Sequence, residues 1–234
     1  MRMALHWIAL LLGAVVATAF AAEAALRVYT NFAAKPARLF VSDAQTGWRN
    51  APNLLTTLTN AAGEEWSIRN DENGQRLIPQ DPDARRRILI LGDSLSFGEG
   101  IDIKDRFDVR MLPALPATRV INTGTMGYGT DQEYAAFRNW KQLLEPGDTV
   151  LILLNESDYL DVLRRRFIGR AKPYVEKQHG SFVLRAPLIG PLERWSDWFL
   201  LARVAARVFD RSSSDPASET LDPTQSIEII SFIL

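Results

Sequence analysis

The chain opens on a block of residues without a formal charge, "ALHWIALLLGAVVATAFAA" from Ala4 to Ala22, with Arg2 ahead of it and Glu23 behind. As a helix this run rises about 28 Å, close to the thickness of a bilayer core. A cation before the run and an acid after it favour a cytoplasmic amino terminus. Ala19-Phe20-Ala21 also fits a small-x-small cleavage site, so residues 1–27 read as a signal anchor or a signal peptide. Residues 28–84 carry loop punctuation ("GWRNAPN", "RNDENGQR", "PQDPDARR") and read as a lead-in of short strands and turns.

From Arg87 the pattern changes. Ile88, Leu89, Ile90 and Leu91 form an apolar run suited to a strand buried on both faces. "TRVIN" (118–122) and "DTVLILL" (148–154) repeat the theme. Between them Ala136, Phe137, Trp140, Leu143 and Leu144 share one face of a helix, with Thr130 or Asp131 as cap and Pro146-Gly147 as stop. Strand–helix alternation of this kind implies a parallel sheet covered by helices. Beyond residue 158 the rhythm breaks. "KPYVEKQHGSFVLRAPL" predicts a hairpin turning near His179, and "LERWSDWFLLARVAARVF" a single helix. "DRSSSDPASET" predicts a linker, and Asp222-Pro223 opens a last apolar helix whose Ile229, Ile230, Phe232 and Leu234 are expected to be poorly buried.

Composition narrows the chemistry. With 47% hydrophobic and 24% charged residues in 234, the chain has the balance of a folded protein. A net charge of −1 gives no general attraction to nucleic acid. The absence of cysteine excludes disulfides, thiol nucleophiles and cysteine metal sites, and His6 and His179 are too far apart to form a metal motif. No cofactor or metal is expected.

The first strand runs into "LGDSLSFGEG", which places Ser94 at the carboxyl end of a parallel strand, where ligands bind in such folds. A phosphate cradle is disfavoured, since neither Gly-Lys-[Ser/Thr] nor a properly spaced G-x-G-x-x-G is present. As a nucleophile, Ser94 needs oxyanion donors, and its own N–H, a loop glycine and an amide after the third strand are the available types. Asn155 offers two amide hydrogens and Ser157 a hydroxyl. Asp93 is expected to hold its own loop through backbone bonds. Trp48, Trp66, Tyr128 and Tyr159 are the aromatics available to line a sugar or acyl site.

Three successive strand tips, "LGDSLSFGEG", "INTGTMGYGTDQE" and "LLNESDYLD", resemble in order and spacing the Gly-Asp-Ser, glycine and Asn blocks of the SGNH/GDSL hydrolase family. "GWRNAPN" and "NGQR" resemble the lead-in of its membrane-anchored members. The resemblance spans roughly residues 65–162. It implies a flavodoxin-like three-layer α/β/α sandwich over 85–234, preceded by a transmembrane helix. It also implies a serine esterase acting on an ester-bearing small molecule or acylated carbohydrate from the periplasmic or extracellular side. Ser94 takes the nucleophile position and Gly127 the block-two oxyanion position. In block three Asn155, counted from the strand, takes the side-chain oxyanion position, with Ser157, counted from the trailing "YLD", as the alternative.

The family's base comes from an Asp-x-x-His that this sequence lacks. Asp158 and Asp161 do not follow the pattern of the triad acid. The sequence therefore reads as a carboxyl-terminally truncated member whose sheet is incomplete, weak or inactive as an esterase. The alternative is a non-catalytic binding or interaction domain at the membrane.

Overall fold

A computed structural model describes residues 2–32, 38–167, 169–196, 198–210 and 223–233. In chain order it contains helix α1 (Arg2–Phe32), strands β1 (Phe40–Asp43), β2 (Gly47–Asn50), β3 (Leu55–Thr59), β4 (Glu65–Arg69) and β5 (Arg86–Leu91), and helices α2 (Ser94–Phe97) and α3 (Phe107–Arg110). Next come β6 (Thr118–Asn122), α4 (Thr130–Trp140), β7 (Thr149–Ile152) and α5 (Asp158–Asp161). The chain continues through β8 (Arg166–Phe167), β9 (Arg170–Ala171), β10 (Tyr174–Gln178), β11 (Ser181–Arg185), α6 (Pro191–Trp195), α7 (Leu200–Asp210) and α8 (Pro223–Ile233). Two compact units result, Met1–Ala37 with Gly190–Ser214, and Arg38–Ile189 with Asp215–Leu234.

The larger unit is mixed α/β, built on a parallel sheet ordered β6–β5–β7. Central β5 pairs Ile88, Leu89 and Ile90 with Val120, Ile121 and Asn122, and Ile88 to Leu91 with Thr149 to Ile152. Leu89, Ile90 and Leu91 are buried as the continuous apolar run requires. Strand β7 is an edge, and Val150, Leu151 and Ile152 stay exposed, consistent with an incomplete α/β/α sandwich.

The predicted central helix exists with different ends. Gly129, not Thr130 or Asp131, is the cap, its N–H donating to Gln132 Oε1 at 3.3 Å. Asp131 lies inside the helix, its Oδ1 accepting from Gln132 N at 3.0 Å and pairing with Lys172 Nζ at 2.8 Å. The helix ends at Trp140 and tightens into a 3₁₀ turn over Lys141–Leu143 before Pro146 is reached. The predicted hairpin is β10–β11, turning on His179 and Gly180, both with positive φ. Helix α8 buries Ile229 and Ile230 against Val162, contrary to expectation, while Phe232 remains exposed. Leu234, Asp222 and residues 211–220 of the predicted linker lie outside the described residues.

In the smaller unit α1 runs past Ala22, because Glu23 and Arg27 form an i,i+4 pair at 2.8 Å that carries the helix through its first charges. The single helix read over Leu192–Phe209 is two, α6 and α7. Ser196 Oγ donates back to Glu193 O at 2.6 Å, and Glu23 accepts the N–H groups of Leu200 and Leu201 at 3.0 and 2.8 Å, starting a new helix there.

A buried polar cluster lies under the Gly-Asp-Ser turn. Asp108 is fully buried and paired with Arg106, whose Nε sits 3.0 Å from its Oδ1. Asn122 Nδ2 donates to Asp108 Oδ2 at 2.6 Å and to Ser96 O at 2.7 Å. Arg76 Nε donates to Phe97 O at 3.1 Å, and its guanidinium stacks 4.3 Å over the Phe97 ring. Burial and the Arg106 charge push Arg76 down to about 9, Asp108 opposing, so it stays cationic at neutral pH. Both carbonyls closing the turn are thus fixed from below. Gly98, at φ 76°, caps it where a Cβ would lie 2.8 Å from Arg106 Cγ. Asp108→Asn should cost about 3–5 kcal/mol in chemical denaturation, since it leaves Arg106 buried without a counter-charge. A loss below about 1 kcal/mol would show that water reaches the pair.

Candidate active site

Gly92 adopts φ 148° and turns β5 into α2, a single helical turn opened by Asp93. Asp93 Oδ1 accepts from Leu95 N at 2.9 Å, an Asx cap that leaves Ser94 as the first helical residue. Ser94 is half-buried, and among the described residues its hydroxyl makes no hydrogen bond. Ser96, two positions on, is fully buried and donates to Asp93 O at 3.0 Å, so of the two serines in "DSLS" only Ser94 is accessible.

Ser94 opens into a cavity of about 480 Å³ whose lining includes Asp93, Gly127, Tyr128, Ser157, Trp48 and Phe167. Gly127 has φ 77° and lies against the Phe167 ring, which a Cβ would strike. Its loop is clamped by the lead-in: Asn50 Nδ2 donates to Gly124 O at 2.8 Å, Trp48 Nε1 to Met126 O at 3.2 Å, and the Tyr128 hydroxyl to Trp48 O. The Trp48 and Phe167 rings stack at 6.3 Å and Tyr128 meets Trp48 edge-on at 5.7 Å, giving the cavity an aromatic wall.

Asn155 is half-buried beside this cavity rather than on its wall. Its Nδ2 donates to Asp93 Oδ2, its Oδ1 accepts from Ser157 N at 2.7 Å, and its N–H donates to Asp158 Oδ2 at 2.7 Å. Ser157 is exposed and lines the cavity. Of the other aromatics singled out, Trp66 packs under Phe97 in the core and Tyr159 points into solvent at 51% exposure. His179 sits at the β10–β11 tip and is not part of the cavity, and His6 lies in α1.

The sequence marks Asp158 and Asp161 as acceptors near the site but gives no sign of Glu133 or of a shared buried carboxyl cluster. Glu133 is buried with both carboxyl oxygens unpartnered, and Asp131 Oδ2 and Asp158 Oδ1 are likewise unpartnered. Lys172, fully buried, pairs with Asp131 and donates to Asp161 O. Desolvation, then the charges of Asp158, Asp93 and Asp131, raise Glu133 well above the ordinary glutamate value. Burial raises Asp131 to about 6 against the pull of Lys172, and raises Asp158 to about 6 with Asp93 and Asp161 adding to it. A helical "TDQE" reads as an ordinary acidic first turn, and nothing in "AKPY" marks Lys172 as its counter-charge.

No family model and no curated protein matches this chain. Among solved structures it is similar to AlinE4, described as an SGNH-hydrolase family esterase, and to a point mutant of that esterase. Each match has 27% identity and a TM-score of 0.27, over 32% of this chain and 42% of the other. The chain thus spans less than half the length of these weak structural neighbours.

Carboxyls with raised folded pKa values bind more protons folded than unfolded, so stability is lost as pH rises through that window. Thermal unfolding should show Tm falling from about pH 4 to about 6 through Asp131 and Asp158, and continuing to fall above that through Glu133. Glu133→Gln should flatten the upper part and raise Tm at pH 8. An unchanged slope above pH 6 would remove Glu133 from the account.

Proposed function

We propose that this chain carries a serine acyl-hydrolase site of SGNH/GDSL type, held at a membrane by α1 and facing its periplasmic or extracellular side. Ser94 is the nucleophile. The observation that carries the reading is its position: an unbonded hydroxyl at the first turn after a parallel strand, opening with Gly127 and Ser157 into one cavity. The backbone N–H groups of Ser94 and Gly127 supply oxyanion donors. Ser157 supplies the side-chain donor, since it lines the cavity, while Asn155 lies off the cavity wall with one amide hydrogen on Asp93 and acts as a positioning residue. An aromatic wall beside polar donors suits an acyl group on a small alcohol or carbohydrate.

Attack by Ser94 on the ester carbonyl requires a base to take the hydroxyl proton, and an acid to return one to the leaving alkoxide. Neither histidine of the chain lines the cavity. That observation favours a second reading, in which the cavity binds an acylated ligand without cleaving it. The two separate by experiment. In the hydrolase reading the chain releases p-nitrophenol from p-nitrophenyl acetate slowly, Ser94→Ala abolishes the release, and Ser157→Ala lowers kcat by about 10²-fold, the usual loss of one oxyanion donor. Turnover that survives Ser94→Ala would sink it. In the binding reading an O-acetylated oligosaccharide is retained equally by Ser94→Ala and released by Trp48→Ala.

Helix α1 has His6–Tyr29 long and apolar enough to cross a membrane. The anchored reading expects the full-mass chain in the membrane pellet after a high-salt wash. A soluble full-mass chain would overturn it, and a mature form beginning near Ala22 would convert the anchor into a cleaved signal.

A further inference from the structure

The smaller unit leaves a row of large apolar side chains uncovered. Trp195 and Trp198 are 56% and 75% exposed, and Phe199, Leu201 and Val204 continue the surface along α7. Polar groups nearby are engaged with the backbone and with one another. Glu23 caps α7, and Arg27 pairs with Glu23 and donates through Nη2 to Trp198 O at 2.8 Å. Between α1 and α7 lies a groove of about 320 Å³ whose walls, apart from Glu23, are apolar: Ala19, Phe20, Trp195, Phe199 and Ala202 among them.

Depth decides what covers this surface. Ala19 and Glu23 lie 13 and 17 positions beyond His6, the start of the apolar span, so about 20–26 Å along the helix axis, in the last third of a core about 30 Å thick. A groove at that level, continuous with the outer wall of α1 through Ala19 and Phe20, is bathed in acyl chains. Two indoles placed where the span nears its end match the aromatic belt of membrane proteins, whose rings sit between hydrocarbon and headgroups. Burying this row in lipid also relieves an exposure that a soluble two-helix surface does not tolerate.

We propose that α6 and α7 form a membrane-embedded interfacial element. It lies in the leaflet into which the carboxyl end of α1 emerges, with Trp195, Trp198, Phe199 and Val204 among phospholipid acyl chains and one chain occupying the groove. The proposal rests on α1 being an uncleaved span. It makes the attachment two-part, a crossing helix and a second element packed against its emerging end.

The chain has no cysteine, so single probes can be placed cleanly. Full-length Val204→Cys, Gly13→Cys and Glu72→Cys are each labelled with an environment-sensitive nitrobenzoxadiazole and reconstituted in phosphatidylcholine–phosphatidylglycerol vesicles. A Cβ at Gly13 meets nothing within 4 Å, Val204 is 48% exposed, and Glu72 is an exposed residue of the larger unit. Lipids carrying a nitroxide near the headgroup should quench most of the Val204 fluorescence. Lipids carrying it near the chain end should quench Gly13 more strongly, and neither should quench Glu72. Gly13 quenched with Val204 emitting as in water overturns the interfacial element and leaves the anchor standing. Gly13 quenched with Val204 blue-shifted but unquenched overturns it in favour of a protein cover, such as a second copy. Gly13 unquenched removes the anchor and the proposal together.

Discussion

One buried negative charge organises the loop that presents Ser94. Asp108 has no contact with solvent, yet it neutralises Arg106 and holds the Asn122 amide, which in turn grips the carbonyl of Ser96. Arg76 completes the arrangement from the lead-in, taking the carbonyl of Phe97 while its own N–H donates to Asn122 O at 3.1 Å. Two arginines, one aspartate and one asparagine thereby satisfy the carbonyls that a single-turn helix leaves open at its end. Such a cluster is costly to bury and is held by the bonds its members make with one another, though Arg106 Nη1 finds no partner among the described residues. What it secures is a fixed corner: the strand arrives, turns at Gly92 and delivers one serine to the cavity while its neighbour, Ser96, is sealed beneath.

Behind that corner the electrostatics run the other way. Glu133, Asp131 and Asp158 have only Lys172 as a fully buried cation among them, and the carboxyls respond by holding their protons more tightly. The site is therefore asymmetric: the cluster under Ser94 sets two arginines against one aspartate, whereas the one around Asp158 is rich in carboxyls. Asn155 links Asp93 to Asp158 by donating to both, through its side-chain amide and its backbone N–H.

Legibility in the sequence followed the physics of each signal. Buried parallel strands leave unbroken apolar runs, so β5 and β6 could be read almost to the residue, and the His179-Gly180 turn announced β10–β11. The helix α4 was legible through its apolar stripe, but its cap was not, because Gly129 has no side chain to signal it and is held by Gln132 from inside the helix. The break between α6 and α7 was hidden because Glu23, in another helix, starts α7. Ser94 and Gly127 were legible as strand-tip residues, whereas in block three the sequence favoured Asn155 with Ser157 as the alternative, and Ser157 is the one that lines the cavity with them. The clamp by Trp48 and Asn50, and the carboxyl cluster around Glu133, were not, since both are made of long-range contacts between ordinary-looking residues.

The parallel order β6–β5–β7 has a consequence for how the chain is made. Arg87 N donates to Asp148 Oδ1 across 61 residues of sequence, and no shorter contact closes that side of β5. During synthesis Ile88 to Leu91 therefore leave the ribosome well before the strand that pairs with them, whereas the β3–β4 hairpin can close as it emerges. β6 can take one edge of β5 first, but the other edge stays an open apolar template until Thr149 to Ile152 arrive, and that interval is what a chaperone or a neighbouring nascent chain has to reach it.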